Sequence, residues 1–441
     1  MKKLICMIVV IILAIMTGCS GGAGTAGPGE SKPQAAVPIK TLKLATLQAE
    51  NVDTMNVYVK NFEKNNPGYT VEITAIPGVA AFNAAMASKL AAGDPPDIMT
   101  YQWGTQIQLY AKGGHLMDLS NKGFEDKIKP IKKKLNVYEG KTYAFPSQQD
   151  FFGIFMSMDV AKKYGVTEIP KTLSEFLAAC ETMQKNGLAA PIVIPAKDGS
   201  GATQFNFGYL HQVISGKNPD FYKETLDGTK KWNGQEFQDL FRDYGKLLKY
   251  ANKDLLGLDP DGAFKRFAKE EAAFYFGGSY NIISIRTLNP NQNFVMAPTP
   301  WVEDAKDNVA ISDYNNAISI SSKTKYPEAA LAFLNEMFTV ESGNLLAKNV
   351  STISSVKGTM TSFDKSLDNV IPILDKGNYV GFSEREWIPG IKEIMKKATQ
   401  DWMSGVDLKM VLDRMEMEHQ RLLNATPEFK KEFMEMREKS K

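Results

Sequence analysis

The chain has 441 residues, 43% of them hydrophobic, and 52 Lys+Arg against 50 Asp+Glu. That length exceeds the roughly 250–300 residues at which a single core stops growing, so two lobes are predicted. Near balance of charge excludes a nucleic acid or an anionic surface as a partner recruited by net charge, and three cysteines are too few for a disulfide framework.

The first residues carry an export signature. Lys2 and Lys3 precede the apolar run Leu4 to Ile15 and the small-residue stretch Met16-Thr17-Gly18-Cys19, the layout of a secretory signal over residues 1–18. The run is shorter than the roughly 20 residues of a spanning helix, and no basic stop-transfer cluster follows Ser20-Gly21-Gly22. A Cys directly after small residues can take a lipid and become the new N-terminus. The expectation is therefore an exported bacterial lipoprotein, acylated at Cys19 and held at the extracellular face of the cell membrane. Cleavage removes Cys6, Lys2 and Lys3, which leaves Cys180 as the only other cysteine and brings the charges level. Residues 19–38, rich in Gly, Ala, Ser and Pro, cannot bury enough apolar surface to offset their ordering entropy and read as a flexible tether.

The body opens with the strand Leu42 to Ala45, a helix with Met55, Val59 and Phe62 on one face, and a second alternating strand at Val71, Ile73 and Ala75. A helix through Phe82, Met86 and Leu90 and a short strand, Asp97 to Thr100, follow. Strand, helix, strand, helix, strand is the pattern of a parallel sheet with right-handed crossovers. The Lys132-Lys133-Lys134 run reads as a solvated helix face. Farther on, Thr172-Leu173-Ser174-Glu175 is a capping box opening a helix with Phe176 and Cys180. Pro191 to Ile194 is a buried strand, Phe205 to Ile214 a helix, and Ala272 to Phe276 a strand ending at Gly277-Gly278. Pro327 starts a helix with Leu331, Leu334, Met337 and Phe338 inside. The basic tail Lys430 to Lys441 is read like the Lys132 run.

Catalytic and metal signatures do not stand out. His115, His211 and His419 are far apart and lack metal-ligand spacing, so each reads as a core or solvated histidine. Gly257 to Ala268 approaches a calcium loop, with Asp259, Asp261 and Gly262 in place. Gly257 and Ala268 stand where the first carboxylate and the bidentate Glu belong, so the segment reads as a turn. No nucleophile elbow or phosphate loop is present, and no cofactor or metal is predicted.

A pattern does emerge just beyond the predicted strands, where open α/β sheets bind ligands. Gln48 and Glu50 follow the first strand, Tyr101, Gln102 and Trp103 the third. Gln148, Gln149 and Asp150 come after Tyr143 to Pro146, then Ser279, Tyr280, Trp301, Asn315 and Trp387. Aromatic faces with amides and carboxylates suit sugars, whose rings have apolar C–H faces and hydroxyl edges.

Several stretches, in order, resemble the carbohydrate-binding lipoproteins of bacterial ABC importers, of the maltodextrin or multiple-sugar type. They are Lys89 to Ala92 with Gly93-Asp94-Pro95-Pro96-Asp97-Ile98, Leu116-Met117-Asp118-Leu119, Gly140 to Pro146, Ala272 to Tyr280, and Ile318 to Lys323 ahead of Pro327 to Leu334. The resemblance runs from about Thr41 to Leu422. It implies an α/β, two-lobed periplasmic-binding-protein-like fold, each lobe a sheet flanked by helices, with several crossovers at a hinge. Residues 39–147 plus about 298–350 would form one lobe, and 148–297 plus about 351–441 the other. It also implies a sugar, expected to be an oligosaccharide, held in the interlobe cleft by a monomer that delivers it to membrane permease subunits. Trp387 and Tyr280 are similar in position to the family's aromatic platforms. Ser147 to Ile154 departs from the family's commoner extended hydrophobic strand with an Asn-Lys pair, which leaves the ligand open. A secreted glycosidase, which would need two carboxylates flanking the scissile bond, and a surface adhesin are the rival readings.

Overall fold

The computed structural model describes residues 38–131, 134–199, 207–360 and 364–439. The expected signal, Cys19, nearly all of the tether, Lys132 and Lys133, and the start of the helix expected from Phe205 lie outside them. Residues 39–441 form one compact unit.

The strands are β1 (Lys40–Thr46), β2 (Tyr69–Ala75), β3 (Ile98–Tyr101), β4 (Val137–Tyr138), β5 (Lys141–Thr142), β6 (Phe145–Ser157), β7 (Ile192–Val193), β8 (Phe274–Gly278), β9 (Phe294–Ala297), β10 (Ala310–Ile320), β11 (Ile353–Ser354) and β12 (Tyr379–Val380). All but the β4–β5 hairpin belong to one mixed sheet of order β2-β1-β3-β10-β6-β8-β7, with β9 and β11 also on β6 and β12 on β10. The parallel part at one end, β1 between β2 and β3, is the predicted strand–helix–strand unit. Its first crossover, the helix Val52–Asn65, buries Met55, Tyr58, Val59 and Phe62, the spacing of one helical face. The predicted cap is in place: the Thr172 hydroxyl accepts the Glu175 N–H at 3.2 Å and opens the helix Leu173–Lys185, while the Glu175 carboxylate accepts the Lys171 N–H at 2.7 Å, one residue before the cap.

Two long strands were missed. β6 is a 13-residue strand buried along its whole length, so Gln148, Gln149 and Asp150 lie inside a strand and not beyond the end of one. The departure from the family's extended strand is thus one of residue type, not of conformation. Its partner β10 carries Ser312, Asp313, Asn315 and Asn316, polar enough to hide a strand from a search for apolar alternation. The segment read as a turn at Gly257 to Ala268 instead folds as the helix Pro260–Ala268. Asp259 caps it, its carboxylate accepting the Gly262 N–H at 2.8 Å, which is why an Asp-Pro-Asp-Gly run mimics half of a calcium loop.

Buried side chains gather on either side of the β6–β10 pair. Around β1 to β3 they include Leu42, Phe62, Ile98, Phe333 and, on the other sheet face, Phe82 and Tyr101. Around β8 they include Phe176, Trp232, Phe274 and, on the other face, Phe155, Phe267 and Tyr275. The paired strands feed both groups: Phe145 and Ile318 join the first, Ile154, Phe151 and Ala310 the second. Between them the antiparallel ladder passes from Asn315–Gln148 to Ala317–Pro146 and skips the pair in the middle. There Asn316 adopts φ +54°, a left-handed conformation that Asn tolerates better than most residues, and its side-chain amide donates to the Ser147 hydroxyl at 2.7 Å.

Candidate functional site

A cavity of about 320 Å³ opens beside that break, walled by Asp150 and Phe152 of β6, Asn315 of β10, Gln102 after β3, Tyr280 after β8, and a group from residues 382–396. On one wall an amide chain converges on Asp150. The Asn51 amide donates to Gln148 Oε1 at 3.4 Å, the Gln148 amide to Asp150 Oδ1 at 3.3 Å, and the Asn315 amide to Asp150 Oδ2 at 2.7 Å. Asp150 is almost fully buried. Burial pushes its carboxyl above the usual range, outweighing the Arg385 charge and the two amides. Glu50, on the turn after β1, is raised too, chiefly by desolvation, with the negative charge of Asp150 adding to it.

Tyr280 stands at the mouth, 45% exposed. Desolvation of its phenol and the neighbouring Asp150 charge raise its pKa. Its ring lies against Gly278, where a Cβ would come within 2.1 Å of it, so the glycine ending β8 is what lets the ring fold back over the chain.

The other wall is charged. His211 is fully buried on the π-helical stretch Leu210–Ser215, with Nε2 at 3.0 Å from the Glu384 carboxylate and Nδ1 at 3.1 Å from the Ser383 hydroxyl. Burial alone would raise Glu384, but the charges of His211, Lys392 and Arg385 hold it down to about 2. Burial lowers Lys392 in turn, against the pull of Glu384, and its ammonium lies 4.9 Å from the Phe207 ring centroid. Arg385 sits over the Phe382 ring at 4.7 Å and donates to the Tyr314 carbonyl, while Thr105 Oγ1 donates to the Arg385 carbonyl at 3.3 Å. The segment from Phe382 to Trp387 thus spans from the helix carrying His211 to the loop after β3.

Of the predicted site residues, the structure brings Gln102, Asp150, Tyr280 and Asn315 to this cavity, with Gln148 one hydrogen bond behind. Gln48 is buried, its backbone N–H held by the Thr46 hydroxyl at 3.1 Å, and Glu50 is felt at the site through its charge. Trp103 and Trp387 line a neighbouring pocket of about 480 Å³ but are almost wholly covered. Trp387 stacks on Tyr222 at 5.1 Å and 23° and meets Trp232 edge-on, so the indole expected as an open platform spends its faces on the core.

Three more are structural. The Tyr101 hydroxyl pairs with Ser319 Oγ at 2.9 Å, inside a ring cluster with Phe82 and Tyr110. The Ser279 hydroxyl accepts the Phe151 N–H at 3.1 Å. Trp301 packs against Tyr209, with its backbone N–H on Gln212 at 3.1 Å. Sequence reasoning missed Phe152, Phe207, Phe382, Glu384, Arg385, Lys392 and Lys396. The Glu-Arg-Glu run before Trp387 was a usable signal for Glu384 and Arg385; Lys392 and Lys396, four apart on a helix, look like any solvated face.

Amides, carboxylates and cations on facing walls, with aromatic rings between them, give a polyhydroxyl ligand donors and acceptors on both sides. Among the described residues no group of three or more His, Cys, Asp or Glu could hold a metal ion, and no helix is long and apolar enough to cross a membrane.

The Glu384 setting has a pH signature. A carboxyl depressed in the folded state contributes stability above its unfolded value, near 4.5, and loses it as pH falls through its folded value, about 2. The wild-type protein should therefore lose more stability between about pH 4.5 and pH 2 than Glu384→Gln does, by about 2–3 kcal/mol, read from denaturant unfolding at stepped pH. Parallel curves for the two proteins would contradict this placement of charge.

Residues 47–343 match the family described as bacterial extracellular solute-binding protein. The chain is 24% identical over 324 residues, 70% of its own length and 71% of the relative's, to the melibiose/raffinose/stachyose-binding protein of Bacillus subtilis (strain 168). Its fold is similar to that of a sugar transporter from Bacillus licheniformis in complex with stachyose, with a TM-score of 0.70, 24% identity and coverage of 87% of this chain and 100% of that one. It is similar too to a chitin oligosaccharide binding protein, with a TM-score of 0.73, 21% identity and coverage of 87% and 99%. The fold is thus the two-lobed α/β fold of sugar-binding proteins, built here around β6 and β10, and the chain belongs to the bacterial extracellular solute-binding proteins.

Proposed function

We propose that this protein is the capture component of an ABC importer: it closes on an oligosaccharide, holds it in the cavity beside Asp150, and passes it unchanged to membrane permease subunits. The observation that carries this is the amide chain Asn51–Gln148–Asp150–Asn315 facing the half-exposed Tyr280 across one small cavity, in a chain of this family. Asp150, with both oxygens already holding amides in place, is suited to accept from sugar hydroxyls, and Tyr280 offers a ring for a sugar's C–H face. The relatives named for melibiose, raffinose and stachyose and for chitin oligosaccharides support a sugar of more than one ring.

In this reading the lobes are residues 39–147 with about 298–350 and residues 148–297 with about 351–441, and the protein works as a monomer that performs no chemistry on its ligand. Cys19 carries the lipid that keeps it at the extracellular face of the membrane. The glycosidase reading is disfavoured by the family, whose members bind solutes; the adhesin reading leaves a polar cavity without a purpose.

Calorimetric titration over a panel of di-, tri- and tetrasaccharides is the test. One or more sugars should bind and be recovered intact, and Tyr280→Ala should weaken binding by about tenfold or more while leaving the melting temperature unchanged, because the ring is half in solvent. Hydrolysed sugar would move the protein to the enzymes, and unchanged affinity in the variant would remove Tyr280 from the site. For the anchor, Cys19→Ala should lose all label from a fatty-acid analogue fed to the cells; label retained by the variant would refute acylation there.

A further inference from the structure

The last helix, Glu428–Lys439, crosses between the two groups of buried side chains that the β6–β10 pair joins. One face of it is sunk in the group around Trp232. Phe433 is almost fully buried there, edge-on to Tyr222 at 5.4 Å, and Phe429, one turn earlier, packs beside it at 6.1 Å. One turn later Arg437 lies 3.0 Å from Asp220, the residue before the helix Phe221–Asp227. A second face, with Glu432 and Glu435 three residues apart and so side by side, reaches the group around Tyr101. The Lys112 ammonium lies 3.1 Å from the Glu432 carboxylate and 3.8 Å from that of Glu435. Lys112 ends the helix Gln106–Lys112, whose Ile107, Tyr110 and Ala111 pack with Phe82 and Tyr101 and whose Gln108 amide donates to the Val137 carbonyl of β4 at 2.9 Å.

The two attachments differ in kind. The Phe433 side is held by burial of aromatic surface, a strong and lasting contact. The Lys112 side is held by ion pairs between side chains that are each about a third exposed, contacts that are individually weak and that salt screens. When the cleft opens, the helix therefore stays with the Trp232 side and parts from Lys112. The seam where it parts belongs to the cleft: Gln106 and Leu109 face Thr426, Glu428 and Phe429 across the pocket of about 480 Å³, which shares Gln102 and Arg385 with the cavity beside Asp150.

We infer that the last helix is an ionic clasp on the closed cleft: Lys112, gripping Glu432 and Glu435, supplies part of the free energy of closure, so that affinity for an uncharged sugar depends on salt. The inference rests on the sugar-binding reading above. Lys112 is on this account a positioning residue that acts without touching the sugar. Because the apparent affinity scales with the population of the binding-competent state, any change that favours or disfavours the clasp reappears as a change in sugar affinity, and the charges of the clasp set its sign.

The test titrates raffinose, stachyose and the fully N-acetylated chitin trisaccharide, all uncharged, into the full chain at about 20 mM and about 500 mM sodium chloride, where charges act over long and short range respectively. For whichever sugar binds, the wild-type protein should lose about threefold in affinity at the higher salt. Lys112→Glu, which sets a third carboxylate against Glu432 and Glu435, should bind about fivefold or more weakly than wild type at low salt and gain affinity as salt rises, the reverse slope. Lys112→Gln, which removes the charge without reversing it, should show no slope. Exchanging the charges, Lys112→Glu together with Glu432→Lys and Glu435→Lys, should restore both the affinity and the wild-type slope, which a variant that merely damages the fold would not do. Equal salt dependence in the wild type and both single variants overturns the clasp and leaves the sugar-binding reading standing. Failure of every sugar to bind the wild type overturns both.

Discussion

Everything in this molecule hangs from the antiparallel pairing of β6 with β10. Both strands run from one hydrophobic core into the other, so the same backbone ladder that stabilises each side also joins them. A strand buried on both faces can afford polar side chains chiefly where they are paired, and β6 and β10 place theirs at mid-length: the Asn315 amide donates to Asp150 and the Asn316 amide to Ser147 across the ladder, and the Gln148 amide donates to Asp150 along β6. The polar stretch, the skipped pair at Asn316 and the cavity coincide for that reason. Where the ladder gives up a pair, the sheet can bend, and where the side chains are polar, a ligand can bind.

Two buried carboxylates at this point meet opposite treatment. Asp150 is met by the Arg385 charge and two neutral amides, which together do not offset the loss of water, and its pKa rises. Glu384 is met by His211, Lys392 and Arg385, and its pKa falls. The first is left able to exchange hydrogen bonds with an uncharged ligand. The second is committed to holding in place the segment that carries Arg385 from one side of the cleft to the other, an arrangement that favours rigidity of this wall over affinity for a charged guest.

The parallel end of the sheet was legible from the sequence because its strands are half exposed or short and its first crossover helix is amphipathic: Leu42 and Leu44 flank an exposed Lys43, and Met55, Val59 and Phe62 keep helical spacing. β6 was not legible, since burial on both faces erases the alternation by which strands are found, and its polar centre mimics a loop. The site was half legible. Gln102, Asp150, Tyr280 and Asn315, picked out by residue type, line the candidate cavity. Tyr101, Ser279, Trp301 and Trp387 were named on type as well, yet each is spent on packing or on a backbone hydrogen bond, which a sequence does not reveal. Lys392 and Lys396 gave no signal because a helical lysine pair facing a cleft and one facing solvent are written alike.

The central claim is that two cores sharing one strand pair move relative to each other about its break to enclose a sugar. A ligand can drive such a motion only through contacts it makes better when the cleft is closed, and the candidate contacts come from both sides, Gln102 and Asn315 facing Tyr280 and Glu384. Small-angle X-ray scattering of the protein alone and saturated with its tightest-binding oligosaccharide measures this directly. The account expects a smaller radius of gyration in the saturated protein; an unchanged radius with the sugar demonstrably bound would contradict it.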